Sequence, residues 1–300
     1  MKRSSLPLTR RSLILVAVLF FVIQTFAALC GAETGEVMNA AVSIPPQSYF
    51  VERLCRDRVK VLVMVRPGES PATYEPTPKQ MAKLGRTRVY FRIGVPFENV
   101  FLPKLKRNYP DLLIVDTRRG IKLRAMAGGG EDRHEHGRAG LDPHIWMSPR
   151  LVGIQAVTIC GELKRLDPNH ANEFEANLKA FQADLNAMDA RITRVLAPLK
   201  GRTLFVFHPA YGYFAEAYGL KQKAIELEGK EPGPKSLIRI INQAKQEGGR
   251  VIFVQPQFSR QSAKTIAEAI GGAVIPLDPL AKDYLKNLGE MADRIAAALK

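Results

Sequence analysis

One run of residues near the middle of the chain constrains its fold more than any other. From Phe174 onward the apolar positions fall at Phe174, Leu178, Phe181, Leu185, Met188, Ile192 and Val195. Alternating steps of four and three residues keep one face of an α-helix apolar along its whole length. Pro168 precedes the pattern and Pro198 ends it. Residues 169–196 would span roughly 40 Å at about 1.5 Å per residue. Strand and helix patterns alternate on both sides of this stretch, so the helix reads as a rigid strut between two lobes. A coiled-coil partner helix is the competing reading, but roughly three heptads without obvious charge pairing argue against it.

The flanking segments set the class. The runs "VMNAAVSI", "VKVLVMV", "RVYFRIG" and "LLIVD" lie before the strut, and "TLFVFH", "VIFVQ" and "AVIPLD" lie after it. They are short, β-branched and apolar on both faces, which suits parallel strands covered by helices. The expected architecture is α/β, with two lobes, each a mainly parallel sheet flanked by helices. The lobes take residues 33–167 and 199–300, with residues 168–198 as the linking helix. Helix starts are written in the turn chemistry. Thr77 as cap, Pro78 in the first turn and Gln80 three residues after the cap form a capping box. Ser148 with Pro149 and Gly233 with Pro234 repeat the cap-and-proline pattern, and Gly219 and Gly248 stop helices.

The first 32 residues stand apart. A basic segment, "MKRSSLPLTRRS", leads into an apolar one, Leu13 to Leu29, and then into small residues ending at Ala32. That order is an export signal cleaved after Ala32, which places the rest of the chain in the periplasm. An uncleaved anchor, a lipid anchor at Cys30 and a twin-arginine signal at Arg10–Arg11 are the alternatives. The net charge of +15 is spread along the chain without a dense basic run or interleaved aromatics, which excludes nucleic acid as the partner. Cys55 and Cys160 lie in separate helix-like apolar contexts and read as two buried thiols, with a disulfide as the alternative in an exported protein.

Candidate chemistry gathers on strand ends. There are five histidines. His170 opens the strut helix and reads as a solvated surface residue. His134 and His136 lie in "MAGGGEDRHEHGRAG", residues 126–140, a Gly-rich loop unable to pack a core. His208 follows "TLFVF", Asp278 follows "AVIPL", and His144 sits in the proline turn "LDPHIW". Ligands of open α/β sheets bind beyond the carboxyl ends of the strands. Two imidazoles and a carboxylate there point to a metal site, with donors suited to Zn2+ and also to Mn2+ or Fe2+.

The segments "SIPPQSYFVERL", "SPATYEPTPKQM", "DPHIWMSP", "FHPAYGYFAEAYGL", "ELEGKEPGPKSL" and "LDPL" resemble, in order and over the whole mature chain, the zinc- and manganese-type solute-binding proteins of ABC transporters. The resemblance implies two lobes joined by one long helix, with metal in the cleft between them. It implies metal ligands at His144, His208 and Asp278, a permease and an ATPase as partners, a monomer, and no enzymatic activity. The family's first ligand, a histidine in the loop after the second strand, matches Ala72, so the metal-facing imidazole is replaced by a methyl group. Three readings follow. The first is metal capture and delivery by His144, His208 and Asp278 with water in the fourth position, or with His134 or His136 filling the gap. The second is a divergent member that binds a chelated metal or small organic ligand, or acts as a sensor or partner protein. The third is a metal-dependent enzyme, for which Glu75 is the nearest candidate base.

Overall fold

A computed structural model describes residues 37–126, 140–226, 234–258 and 260–300. The expected signal segment, 1–32, and the histidines at 134 and 136 lie outside the described residues.

The chain starts with β1 (Met38–Val42), α1 (Pro45–Cys55), β2 (Val59–Val63), α2 (Pro78–Leu84), β3 (Val89–Arg92), α3 (Glu98–Asn108) and β4 (Leu113–Asp116). These strands form one sheet in the order β2-β1-β3-β4, every pair parallel. Then come α4 (Pro149–Leu166) and the long α5 (Ala171–Leu196). A second sheet is built from β5 (Thr203–Val206), α6 (Gly212–Ala217), β6 (Lys221–Ala224), α7 (Pro234–Gln246), β7 (Val251–Val254), α8 (Arg260–Ala269), β8 (Ala273–Pro276) and the closing α9 (Tyr284–Leu299). Its order, β6-β5-β7-β8, repeats the first and is again all parallel. In each sheet the chain leaves the first strand in one direction and returns on its other side. This makes a crevice at the carboxyl ends of β1 and β3, and another at those of β5 and β7.

Seven of the eight strands among the described residues coincide with the apolar runs. The eighth, β6, reads "KQKA" and carries no apolar run. It lies at the sheet edge, where only one neighbour covers it and lysines are tolerated.

The strut is present as a 26-residue helix. Single 3-10 turns at Pro168–His170 and Ala197–Leu199 bound it, where the two prolines stop regular helix. Phe174, Leu178, Phe181, Leu185 and Ile192 of its stripe are buried, as is Leu196 at its end, while Met188 and Val195 are half-buried against the core. The helix packs on α1, α4 and α9 and so touches elements from both halves of the chain. Phe50 of α1 meets Tyr284 of α9 edge-on, with ring centroids 4.9 Å apart. Arg53 of α1 pairs with Asp184 of the strut, and Arg191 of the strut with Asp293 of α9. His170 is half-buried and pairs with Asp167 at 2.7 Å.

Two local readings receive finer detail. Thr77 caps α2 through a reciprocal box. Gln80 N–H donates to Thr77 Oγ1 (3.3 Å) and Thr77 N–H donates to Gln80 Oε1 (3.0 Å). Ser148 stands at the cap of α4 with Pro149 following, yet its side chain makes no capping bond. Cys55 and Cys160 are free and buried. Burial pushes the Cys55 thiol up to about 12, which makes it a poor nucleophile. Among the described residues no helix is long and apolar enough to cross a membrane.

Candidate metal centre

His144 is placed by the two residues before it. In "DPH", Pro143 restricts the backbone and Asp142 turns back on the histidine. Asp142 Oδ1 accepts both the His144 backbone N–H (3.0 Å) and its ring Nδ1–H (2.7 Å). One carboxylate oxygen therefore sets the backbone and the ring together. His144 is buried, and burial holds its pKa below the ordinary imidazole range against the opposing pull of Asp142. The imidazole is neutral at neutral pH, the form in which it binds metals.

His208 is held from the second sheet. Gln255, just past β7, accepts the His208 N–H (3.2 Å) and donates to the His208 carbonyl (2.6 Å). Its amide thus locks the residue after β5 to the neighbouring strand end, at the crevice predicted by the strand order. Phe258 stacks on the imidazole at 5.1 Å and 24°. Glu226, which follows β6, accepts the His208 Nδ1–H at 2.5 Å. Glu226 is only 2% exposed, and among the described residues its Oε2 has no hydrogen-bond partner.

These supports have one joint consequence. A carboxylate can only accept, so each selects the tautomer with the proton on Nδ1. Each imidazole is left with a lone pair on Nε2, and the two Nε2 atoms face each other 3.3 Å apart. In that tautomer neither nitrogen can donate to the other, and the pair has no favourable interaction of its own. Two nitrogens about 2.0–2.1 Å from a tetrahedral zinc stand about 3.3–3.4 Å apart. The observed spacing is therefore that of adjacent ligands on one ion. The donor set fits: two imidazoles, each with an outer carboxylate that fixes tautomer and orientation.

The structure brings together two of the three donors expected from the sequence. Asp278 lies one residue past Leu277, at the end of β8, but its Oδ1 accepts from Leu280 N–H (2.9 Å) and Gln257 Nε2 (3.3 Å). Among the described residues no group of three His, Cys, Asp or Glu is gathered around one point. Asp142, Glu226 and Gln255 were not singled out as site residues in the sequence. The only signal was the position of the two carboxylates, one two residues before a histidine and the other just after an edge strand.

Ala72 is exposed on the wall of the same cavity as His144 and His208. Its loop is tied down throughout. Ser70 accepts two backbone N–H groups, Ala72 through Oγ (3.3 Å) and Thr73 through its carbonyl (3.2 Å). The Pro71 carbonyl accepts Phe97 N–H, and Tyr74 packs edge-on against Phe97 at 4.8 Å. Gln80 Nε2 reaches back to the Met64 carbonyl at the loop's start (2.7 Å). The buried Glu98 locks the facing turn by accepting from Ile93 N–H, Gly94 N–H, Ser43 Oγ and Arg92 Nε. The loop thus has its own support and presents only a methyl group at residue 72. Glu75, the candidate base, is exposed and does not line the cavity.

The role of Glu226 is testable. Glu226→Gln can place an amide N–H against His208 Nδ1 and so move the ring proton to the metal-facing Nε2. Zinc affinity should then fall about 10–100-fold, the usual effect of an outer partner on a metal-bound histidine. A competition titration against a fluorescent chelator measures this, with a thermal melt to confirm the fold. Unchanged affinity would show that Glu226 does not select the tautomer.

Comparison with known proteins shows the family. Residues 41–298 match the family described as zinc-uptake complex component A, periplasmic. The high-affinity zinc uptake system protein ZnuA of Bacillus subtilis strain 168 is 25% identical over 257 residues, which cover 82% of this chain and 79% of that protein. A crystal structure of ZnuA is similar with a TM-score of 0.82 at 41% identity, covering 88% of this chain and 100% of that one. A ZnuA deletion mutant solved with zinc bound gives 0.81 at 42% identity, over 88% and 99% of the two chains. The chain belongs to the zinc-uptake component A family, periplasmic metal-binding proteins that carry their substrate rather than transform it.

Proposed function

We propose that this protein captures a divalent transition metal, zinc foremost, between His144 and His208 and delivers it to the permease and ATPase of an ABC transporter. The observation that carries the reading is the pair of Nε2 atoms at 3.3 Å, each imidazole pinned through Nδ1 by its own carboxylate. Neutral nitrogen donors suit zinc better than harder, oxygen-preferring ions. Asp278, engaged by Leu280 and Gln257, does not carry this reading. Residues 1–32 serve as the export signal that brings the chain to the periplasm.

The two imidazoles reach the site on different supports. His144 is fixed through Asp142, and Trp146 beyond it donates its indole N–H to the Pro279 carbonyl (2.7 Å). His208 is fixed through Gln255 and Glu226 on the second sheet. Metal binding joins the two supports and stiffens the walls of the cleft. The strut, packed on both halves, favours a small closure over a wide hinge. A permease that reads the walls of the cleft would distinguish the loaded carrier from the empty one.

Isothermal titration of the metal-stripped mature chain with zinc and with manganese tests the proposal. Saturable one-to-one binding of zinc, tighter than that of manganese, is the expected result. Absence of saturable zinc binding, with or without free histidine in the buffer, would overturn the metal-carrier reading.

A further inference from the structure

Among the described residues, the donor count and the shape of the cleft fit a metal that brings further donors of its own. Zinc bound by nitrogen and oxygen donors is ordinarily four-coordinate. The described residues supply two imidazoles and no third metal-binding group at the same point. At residue 72, on the wall of the same cavity, the side chain is a methyl group. The space left is large. The cavity measures about 430 Å³, within the range of about 300–1,000 Å³ typical of sites for small organic molecules. A single ion with its water needs only a small part of it.

The walls also suit an organic guest. Pro71, Pro96, Met126, Leu141, Phe258 and Leu280 give the cavity an apolar lining around the two nitrogens. Water bound to a metal there would have few other hydrogen-bond partners, whereas an aromatic or aliphatic body would bury its surface. Two of the polar groups nearest the histidines are already occupied. Gln255 is spent on the His208 backbone and the Trp146 indole N–H on Pro279. The remaining recognition lies with the metal and with Glu226 Oε2, which has no partner among the described residues.

We infer that the cargo is a metal complex: a divalent ion held by His144 and His208 together with a small nitrogen- and oxygen-donor chelator, of the amino-acid or imidazole class, seated against Ala72 and completing the coordination. The inference rests on the metal-carrier reading and names the form in which the metal is carried. Such a chelator supplies two donors at once and places its body in the apolar space that the Ala72 methyl leaves open. No bond is made or broken other than coordination to the ion.

The test uses isotopically labelled L-histidine as the chelator and the full mature chain. Equilibrium dialysis with zinc and labelled histidine should retain one histidine for each zinc, and none when zinc is withheld. Ala72→His, which restores an imidazole on the cavity wall, should bind zinc alone and retain no histidine. Its gain in affinity for zinc alone should exceed the roughly 10–100-fold contributed by an outer partner. Zinc bound by the unaltered chain with no histidine retained, through any set of protein donors, would overturn the inference while leaving the carrier reading intact. Zinc bound by neither chain, with or without histidine, would sink both.

Discussion

His208→Ala is expected to abolish saturable zinc binding, with a loss greater than the roughly 10–100-fold that follows removal of an outer partner alone. The reason is geometric. The site gathers two nitrogens at 3.3 Å, and removing one leaves His144 as a single imidazole in an apolar cavity. The variant also strands the Glu226 carboxylate, which is buried and whose only hydrogen bond through Oε1 runs to His208 among the described residues. An uncompensated buried charge costs about 3–5 kcal/mol. Loss of binding could therefore be mistaken for loss of fold. The double variant His208→Ala with Glu226→Ala separates the two. It removes the stranded charge, so its melting temperature should recover relative to the single variant, while zinc binding stays lost. Zinc affinity retained in the folded double variant would place the metal elsewhere.

The second large effect concerns Trp146, the single tryptophan of the chain. It is 1% exposed and sits where the two halves meet. Its indole N–H donates to the Pro279 carbonyl, its own carbonyl accepts from Tyr284 O–H (2.7 Å), and its ring centroid lies 5.0 Å from that of His144. Trp146→Ala should destabilise the fold by about 3–5 kcal/mol, the range for removing a large buried aromatic side chain. For a domain of this size that corresponds to a fall in melting temperature on the order of 10 °C. Circular dichroism melts would measure it. Trp146→Phe keeps most of the volume but leaves the Pro279 carbonyl without its donor, so its cost should be smaller, about 1–3 kcal/mol. A Trp146→Ala protein as stable as the parent would mean that this ring does not brace the two halves. The same residue offers a native reporter, because zinc at His144 should alter its fluorescence.

The two variants probe different parts of one arrangement. His208, the proposed ligand, and Glu226, which orients its ring, belong to the second half of the fold. Trp146 and Asp142 act on His144, one by packing and one by hydrogen bonds. His144 precedes the strut in the chain, yet Tyr213 O–H of α6 donates to the Asp142 carbonyl (3.0 Å), and Pro279 and Tyr284 hold the turn that follows it. The histidine is thus braced largely by residues that come after the strut. This explains how an imidazole from the first half comes to lie 3.3 Å from one of the second.

Much of the fold was legible because its signals are local. The 4,3 spacing from Phe174 to Val195 requires one buried helix face whatever surrounds it. Thr77, Pro78 and Gln80 specify a helix start within four residues. Seven strands announced themselves by apolar runs, and β6 did not, because an edge strand with lysines looks like loop. His144 and His208 could be chosen from their places at strand ends and turns. Asp278 was chosen on the same grounds, and its Oδ1 accepts from Gln257 and Leu280. Asp142 and Glu226 went unassigned because a carboxylate that orients a histidine leaves no pattern of its own.

The sequence by itself determined the two parallel α/β lobes, the strut between them, the anchored loop at Ala72 and the choice of His144 and His208 as candidates. Periodicity, proline and capping act over a few residues and can be read without knowing the rest of the molecule. Only the tertiary structure decided that His144 and His208, 64 positions apart, would meet Nε2 to Nε2 with each Nδ1 held by a buried carboxylate. That spacing is fixed by packing between distant elements, Trp146 on Pro279 and Tyr284, Gln255 on His208 and Glu226 behind it. No local rule carries such distances, because they depend on how whole lobes close against one another.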